Sequence, residues 1–353
     1  MSFITNIRSV AKYESKILVR SWFFRIFTLL AVVFLGFFNF AMMLMEDNFG
    51  LWFAKSVSSN IPYLNLLLLN TGQAVVAVFL SSEFLKRDKK LDTSEVFYVR
   101  PLSNAEYVVG KIWGNLRVFL FLNLLVLAIV LAFNFMASGV TVDLPAYLVY
   151  FFLISIPTLI FIIGLSIFLM LLLKNQALTF ILLLGYIGLT LFYIQDKFYY
   201  LFDYMVYNLP LFKSTIVGFS NLELILNHRA IYFFAGLGFI FFTIFLFKRL
   251  PNARRSHYPW LFLSFCMFLL MVTAGFRHVR SILMEGEMRA LYTSINNKYV
   301  YEPKMAIDYY DISVEQKSET IRSVVGMEGT ALAASEVFIS VSYTHLTLPT
   351  IRL

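Results

Sequence analysis

Seven apolar runs, each about as long as a bilayer crossing, constrain this chain more than any other feature. They extend from Ile26 to Met45, Ile61 to Leu80, Gly114 to Met136, Ala146 to Leu173, Ala177 to Ile194, Ala230 to Phe247 and Pro259 to Phe276. A spanning helix needs roughly 20 mostly apolar residues, because the hydrocarbon layer is about 30 Å thick. Lipid offers no partner for a bare N–H or C=O, so runs of this kind must satisfy their own backbone as helices. The chain is 59% hydrophobic and 14% charged, whereas a soluble domain keeps about a quarter of its residues charged. The reading is an all-α polytopic membrane protein of six to seven transmembrane helices. The second run is the least regular, interrupted by Asn65, Asn70 and Gln73.

The basic residues orient the spans, since Lys and Arg near span ends collect on the cytoplasmic side. Arg8, Lys12, Lys16, Arg20 and Arg25 belong to the N-terminal segment, and Lys86, Arg87, Lys89, Lys90, Arg100 and Lys111 follow the second run. Lys174 follows the fourth, and Lys248, Arg249, Arg254 and Arg255 follow the sixth. Alternating spans put all of these on one side. The opposite loops hold only Lys55, Lys197, Lys213 and Arg229. The N-terminus is therefore expected in the cytoplasm and the segment after Phe276 outside. Insertion topology and anionic lipid account for the net charge of +8, so no nucleic-acid partner is expected. The single cysteine, Cys266, lies in an apolar run and cannot build an intrachain disulfide or a thiolate metal site. The first apolar run starts too late and is too long for a cleavable signal peptide.

Between the second and third runs lies the largest polar island of the first two-thirds of the chain, residues 81–95 continuing to Arg100-Pro101-Leu102-Ser103. Charge of that density must face water. Asp92 followed by Glu95 has the form of a helix start, and Ser103-x-x-Glu106 is a capping box with Leu102 and Tyr107 placed as a hydrophobic staple. Arg100 precedes a proline and is biased to extended geometry. These signals predict a short helix over Thr93 to Val99, a break at Arg100-Pro101, and a new helix from Asn104 into the third span. Ahead of the first span, positions 7, 10, 14, 17 and 18 follow helical spacing, with Glu14 interrupting the apolar stripe. This predicts an amphipathic helix at the membrane interface.

The island resembles the signature of the type-2 ABC transporter permease family. The matching residues are the acidic Glu83, the charged Arg87 and Asp88, Thr93-x-Glu95, Pro101-Leu102-Ser103, Glu106 and Gly110-Lys111. Tyr13-Glu14-Ser15-Lys16 with Arg20-Ser21, and Asn208-Leu209-Pro210, also resemble that family, and the likeness covers roughly residues 1–250. Asp92 departs from it, standing where the family carries a small residue before the threonine. The resemblance implies a six-span permease half of an ABC-type exporter, paired with a second permease half in a homo- or heterodimer and energised by a separate cytosolic ABC ATPase. It places the ATPase-coupling interface at Glu83, Arg87, Asp88, Thr93, Glu95, Arg100, Pro101, Glu106 and Lys111. The chain has no G-x-x-x-x-G-K-[ST], so ATP would be bound by the partner. No cofactor, metal or catalytic residue is expected in this chain, and it is not expected to be an enzyme.

Within the spans, Asn39, Asn65, Asn70, Gln73, Asn115, Asn123 and Asn134 are expected to face other helices rather than lipid. Arg25 and Arg117 are expected to snorkel, and Pro157 to kink the fourth span. The aromatic stretch from Asp196 to Arg229 (Phe198, Tyr199, Tyr200, Phe202, Tyr204, Tyr207) predicts one or two short helices on the outer surface, as an outer gate or an interfacial belt.

After Phe276 the chain turns polar and acidic. A helix is expected through Leu291, then strands at Tyr299–Tyr301 and Ile307–Val314. Lys304 to Val314 resembles the opening strand of the N-terminal β-domain of gluzincin-type zinc aminopeptidases, which implies an alternative: the membrane anchor of an aminopeptidase fusion. No H-E-x-x-H occurs, and His228, His257, His278 and His345 are scattered along the chain. A non-transporting membrane scaffold is a third possibility. Residues 341–353 resemble a translated sequencing adapter, which makes the external α/β segment a truncated one. The expected organisation is a cytoplasmic interfacial helix at 1–25, the permease domain at 26–250, a seventh span at 259–276, an external segment at 277–340 and a non-native tail at 341–353. The expected location is the cell inner membrane.

Overall fold

The computed structural model describes residues 3–44, 57–82, 102–136, 142–194, 196–209, 211, 213–214, 218–219, 221–247, 258–299, 305–317 and 320–331. The protein is an all-α polytopic membrane protein, and seven helical stretches among the described residues are long and apolar enough to cross a bilayer. The helix α1 (Phe3–Arg20) precedes α2 (Trp22–Leu44), α3 (Asn60–Ser82) and α4 (Asn104–Met136). The fourth span is α5 (Leu144–Tyr150) and α6 (Ile156–Leu173), joined by a π-helical turn at Phe151–Ser155. It is followed by α7 (Gln176–Leu189), α8 (Leu222–Leu246) and the 42-residue α9 (Tyr258–Tyr299). Two antiparallel strands, β1 (Met305–Lys317) and β2 (Thr320–Ala331), complete the elements. The described residues divide into two compact units, one within Met1–Thr215 and Phe219–Val279, the other within Ile216–Gly218 and Arg280–Leu353.

Helix ends in the first unit are closed by nearby side chains and backbone. Ser103 and Glu106 form the expected capping box: the Ser103 N–H and hydroxyl donate to Glu106 Oε2 (2.6 and 2.9 Å), and the Glu106 N–H donates back to Ser103 Oγ (3.2 Å). Asp143 caps α5 through the Ala146 N–H, and Asn175 caps α7 through the Leu178 N–H. Lys174, in a left-handed conformation (φ 53°), ends α6 and lets the chain reverse within two residues.

Polar side chains join the spans, as lipid-embedded helices require. All seven amides singled out in the sequence are buried. Asn39 and Asn65 exchange reciprocal hydrogen bonds (2.7 and 3.1 Å) that tie α2 to α3. Asn70 and Gln73 on α3, Asn123 on α4 and Ser155 in the π-turn form a closed network: Asn123 donates to Gln73 (2.8 Å), Ser155 to Asn123 (2.8 Å) and Asn70 to Ser155 (3.2 Å). The residues that make the second run irregular in sequence are therefore what holds it at the centre. Where α6 crosses α8 the backbones touch. A Cβ at Gly236 would lie 2.7 Å from the Ile160 carbonyl, and one at Gly164 would lie 2.7 Å from the Gly236 oxygen.

Pro157 sits two residues after the π-helical turn. Having no N–H, it leaves the Leu153 carbonyl without its usual helical donor. Arg229 Nε supplies one at 2.7 Å, and Arg229 Nη2 bonds Thr158 Oγ1 at 2.8 Å. Arg229, read from the sequence as a loop residue, thus lies within α8 and is 2% exposed. The positive charge suited a loop on sequence grounds; a proline-freed carbonyl on another helix is what draws it inside.

The helix α9, the seventh span, continues past the expected Leu291 to Tyr299. Tyr299 is helical rather than the start of a strand: no glycine or proline breaks the chain between Gly286 and Tyr299, so the helix runs on through residues of modest helix propensity. Val300 and Tyr301 lie outside the described residues. The expected strand at Ile307–Val314 lies within β1. Its partner β2 contains Gly326 and Gly329, which weaken the strand pattern in sequence.

Candidate functional site

The described part of the expected coupling region is the start of α4, and it is bound to α1. Glu83, Arg87, Asp88, Thr93, Glu95, Arg100 and Pro101, with the predicted helix over Thr93 to Val99, lie outside the described residues. Glu106 and Lys111 are described, and both are buried. Glu106 accepts from Asn6 of α1 (2.8 Å) as well as from its own capping partner. One turn on, Lys111 Nζ lies 2.9 Å from Glu14 Oε1, with side chains 1% and 3% exposed, and 5.0 Å from the Tyr107 ring centroid. The residue that broke the apolar stripe of α1 in sequence is therefore the charged centre of its buried face. Ala11, Glu14, Ser15 and Leu18 form that face at helical spacing.

The contact is close because α4 presents glycine. A Cβ at Gly110 would lie 2.7 Å from Val10 Cβ, and one at Gly114 would lie 2.9 Å from the Ala11 carbonyl oxygen. Gly110-x-x-x-Gly114 is thus a groove that seats the α1 backbone. The Ser15 hydroxyl crosses it to donate to the Gly114 carbonyl (2.7 Å), and Arg117 Nη2 donates to the Ala11 carbonyl (2.8 Å). Arg117, expected to snorkel, instead closes the ladder. Asn104 Nδ2 donates to the Phe247 carbonyl at the end of α8 (2.6 Å), and Tyr107 stacks on the Phe247 ring. The start of the third span is so tied to α1 and to the end of the sixth.

A second polar assembly lies where α3 and α8 begin. In the aromatic segment 196–209 the expected short helices shrink to a single three-residue turn, Phe198–Tyr200, with Phe198, Tyr199 and Phe202 exposed. Tyr204, Met205, Val206 and Leu209 are buried in the bundle. The Tyr63 hydroxyl donates to the Val206 carbonyl (3.1 Å), and the Tyr207 hydroxyl meets Thr71 Oγ1 at 2.5 Å. Thr71 lies eleven residues into α3 from Asn60, roughly 16 Å along the helix axis. The tip of the Tyr207 side chain thus reaches the middle of α3.

Irregular backbone packed against a helical bundle needs protein partners for its buried polar groups. Here Asp203 accepts from the Tyr207 and Asn208 N–H groups (3.0 and 2.8 Å). Burial lifts the Asp203 carboxyl above the usual carboxylate range, against the opposing effect of those N–H donors. Phe198, Tyr199 and Tyr200 take φ of 52°, 58° and 61°, left-handed conformations that cost a non-glycine residue about 1–2 kcal/mol each. His228 Nε2 sits 3.0 Å from the Tyr200 carbonyl and His278 Nε2 2.9 Å from the Tyr199 carbonyl. Two histidines that look scattered in sequence thus meet, with ring centroids 5.1 Å apart. Among the described residues no group of three or more His, Cys, Asp or Glu is placed to hold a metal ion.

No known family model matches the chain, and no curated protein matches it either.

Proposed function

We propose that the chain is the membrane-spanning permease subunit of an ABC-type exporter, paired with a second permease half and energised by a separate cytosolic ATPase that binds the ATP. The observation that carries this reading is the buried ladder joining α1 to α4: Asn6–Glu106, Glu14–Lys111, Ser15–Gly114 and Ala11–Arg117. It makes the N-terminal helix and the third span one mechanical piece, and that piece directly continues the polar island. A push that reached the start of α4 would pass to the third span through α4 itself and to the first span through α1. Glu106 and Lys111 serve this reading by fastening α1, and the island residues Glu83, Arg87, Asp88, Thr93, Glu95, Arg100 and Pro101 would meet the ATPase. In this reading the protein resides in the cell inner membrane, with α1 cytoplasmic and the segment after Phe276 external.

The test is affinity purification of the intact chain from its native membrane. A nucleotide-binding subunit is expected to co-purify, and to be lost on charge reversal by Glu95→Lys or Arg100→Glu. Recovery of that subunit undiminished with both variants would refute the coupling interface, and its absence from the wild-type preparation would refute the reading.

One observation favours the peptidase-fusion alternative. The hairpin β1–β2 follows the seventh helix where the sequence resembles an aminopeptidase β-domain, and it exposes Tyr309, Tyr310, Ile312 and Val314. An H-E-x-x-H downstream of the same region in a longer homologue would support it.

A further inference from the structure

Segment 196–209 is held in the bundle by its carbonyl oxygens. One face of α8 supplies three of the donors: His228 Nε2 to Tyr200, the Tyr232 hydroxyl to Leu201, and Arg229 Nη1 to Tyr204 (2.9 Å). His278 of α9 adds a fourth at Tyr199. Residues 228, 229 and 232 form a short rack on one helical face, doing for this segment what a neighbouring strand would do in a sheet.

Arg229 differs from the other donors. Its Nε and Nη2 hold Leu153 and Thr158 of the fourth span while Nη1 holds the segment. If the segment withdrew, the guanidinium would keep its bonds to the proline-freed carbonyl and lose only the bond to Tyr204. The seated position also carries features that withdrawal would relieve. Three consecutive residues are left-handed. The buried Tyr204 hydroxyl has no hydrogen-bond partner among the described residues. Strain of this kind collects in segments that switch.

We propose that segment 196–209 is a detachable plug, and that Arg229 is the clamp that keeps it seated between α3, the fourth span and α8. The Tyr204 carbonyl also accepts from Thr158 Oγ1 (3.3 Å). Loss of the charged Arg229 donor weakens the seat, and the plug leaves as a unit when the bonds from His228, Tyr232, His278 and Tyr63 part with it, exposing the middle of α3 around Thr71 to water. This concerns the seating of the segment alone, so its failure would leave the ATPase reading untouched, and the reverse also holds.

The test is cysteine accessibility in the full chain reconstituted in lipid nanodiscs. The single native cysteine is first removed (Cys266→Ser). Thr71→Cys then reports on the space under the plug, and Val130→Cys, fully buried on α4, reports on general loosening. Both are read as labelling rates with a membrane-impermeant maleimide. With Arg229 intact, both cysteines are expected to label slowly. Arg229→Gln is expected to raise the Thr71→Cys rate at least tenfold and leave the Val130→Cys rate unchanged. Arg229→Lys, which keeps the charge but cannot span the same carbonyls, is expected to fall between. Leu226→Ala, on the exposed side of α8, is expected to change neither rate. Fast Thr71→Cys labelling with Arg229 intact would overturn the proposal, as would no acceleration by Arg229→Gln or equal acceleration at both cysteines.

Discussion

Separating Glu14 from Lys111 is the sharpest perturbation of the α1–α4 junction. The charges lie 2.9 Å apart with side chains almost fully buried. At an effective dielectric of about 20 their attraction is about 6 kcal/mol, offset by several kcal/mol of desolvation per ion, so the pair's net contribution is small. Removing one partner is different, because the other charge stays buried: the loss is about 3–5 kcal/mol. At about 2–4 °C per kcal/mol, Glu14→Gln or Lys111→Met alone is expected to lower the apparent melting temperature in detergent by about 6–20 °C. The double variant removes both charges and is expected to recover most of that loss. Heating followed by size-exclusion chromatography reads the effect for all four proteins of the cycle. Single variants within about 2 °C of wild type, or a double variant as unstable as the sum of the singles, would refute the claim that a buried, coupled pair holds α1 in place.

Three further outcomes follow from the same geometry. Gly114→Val is expected to push α1 off its groove, costing about 1–3 kcal/mol as an overpacked contact, read as faster proteolysis within residues 3–20 before any global unfolding. Asn123→Ala is expected to lower stability by about 1–3 kcal/mol in the same melting assay, because Gln73, Asn70 and Ser155 all lose a partner to it. Asp203 binds its proton more tightly folded than unfolded. Its contribution to stability is therefore fully present below the unfolded value of 3.8 and fades as pH rises through the higher folded value. The melting temperature of wild type minus that of Asp203→Asn is expected to fall as pH is raised from about 4, and a flat difference would show that burial does not perturb this carboxyl.

Much of the architecture is legible before any coordinates. Each of the seven apolar runs meets one of the seven helical stretches long enough to cross a bilayer, since hydrophobic length is a one-dimensional property. The capping box at Ser103–Glu106 is equally local, its partners lying three residues apart. The amides within the spans were legible as groups that face protein, because lipid offers them no partner.

What the tertiary structure alone decided are the pairings across distance. Glu14 interrupts a stripe in sequence and becomes the buried mate of a lysine 97 positions away, as Glu14 and Lys111 show. Arg229 reads as a loop charge and becomes the donor for a carbonyl that Pro157 frees on another helix. The aromatic segment reads in sequence as an outer gate or an interfacial belt; that Tyr204, Met205, Val206 and Leu209 are buried in the bundle follows from histidine, arginine and tyrosine side chains that supply its carbonyls with donors. Sequence periodicity reports which way a residue faces within its own element. A buried polar group is governed by a partner elsewhere in the chain, and only the packing of helices brings that partner within 3 Å.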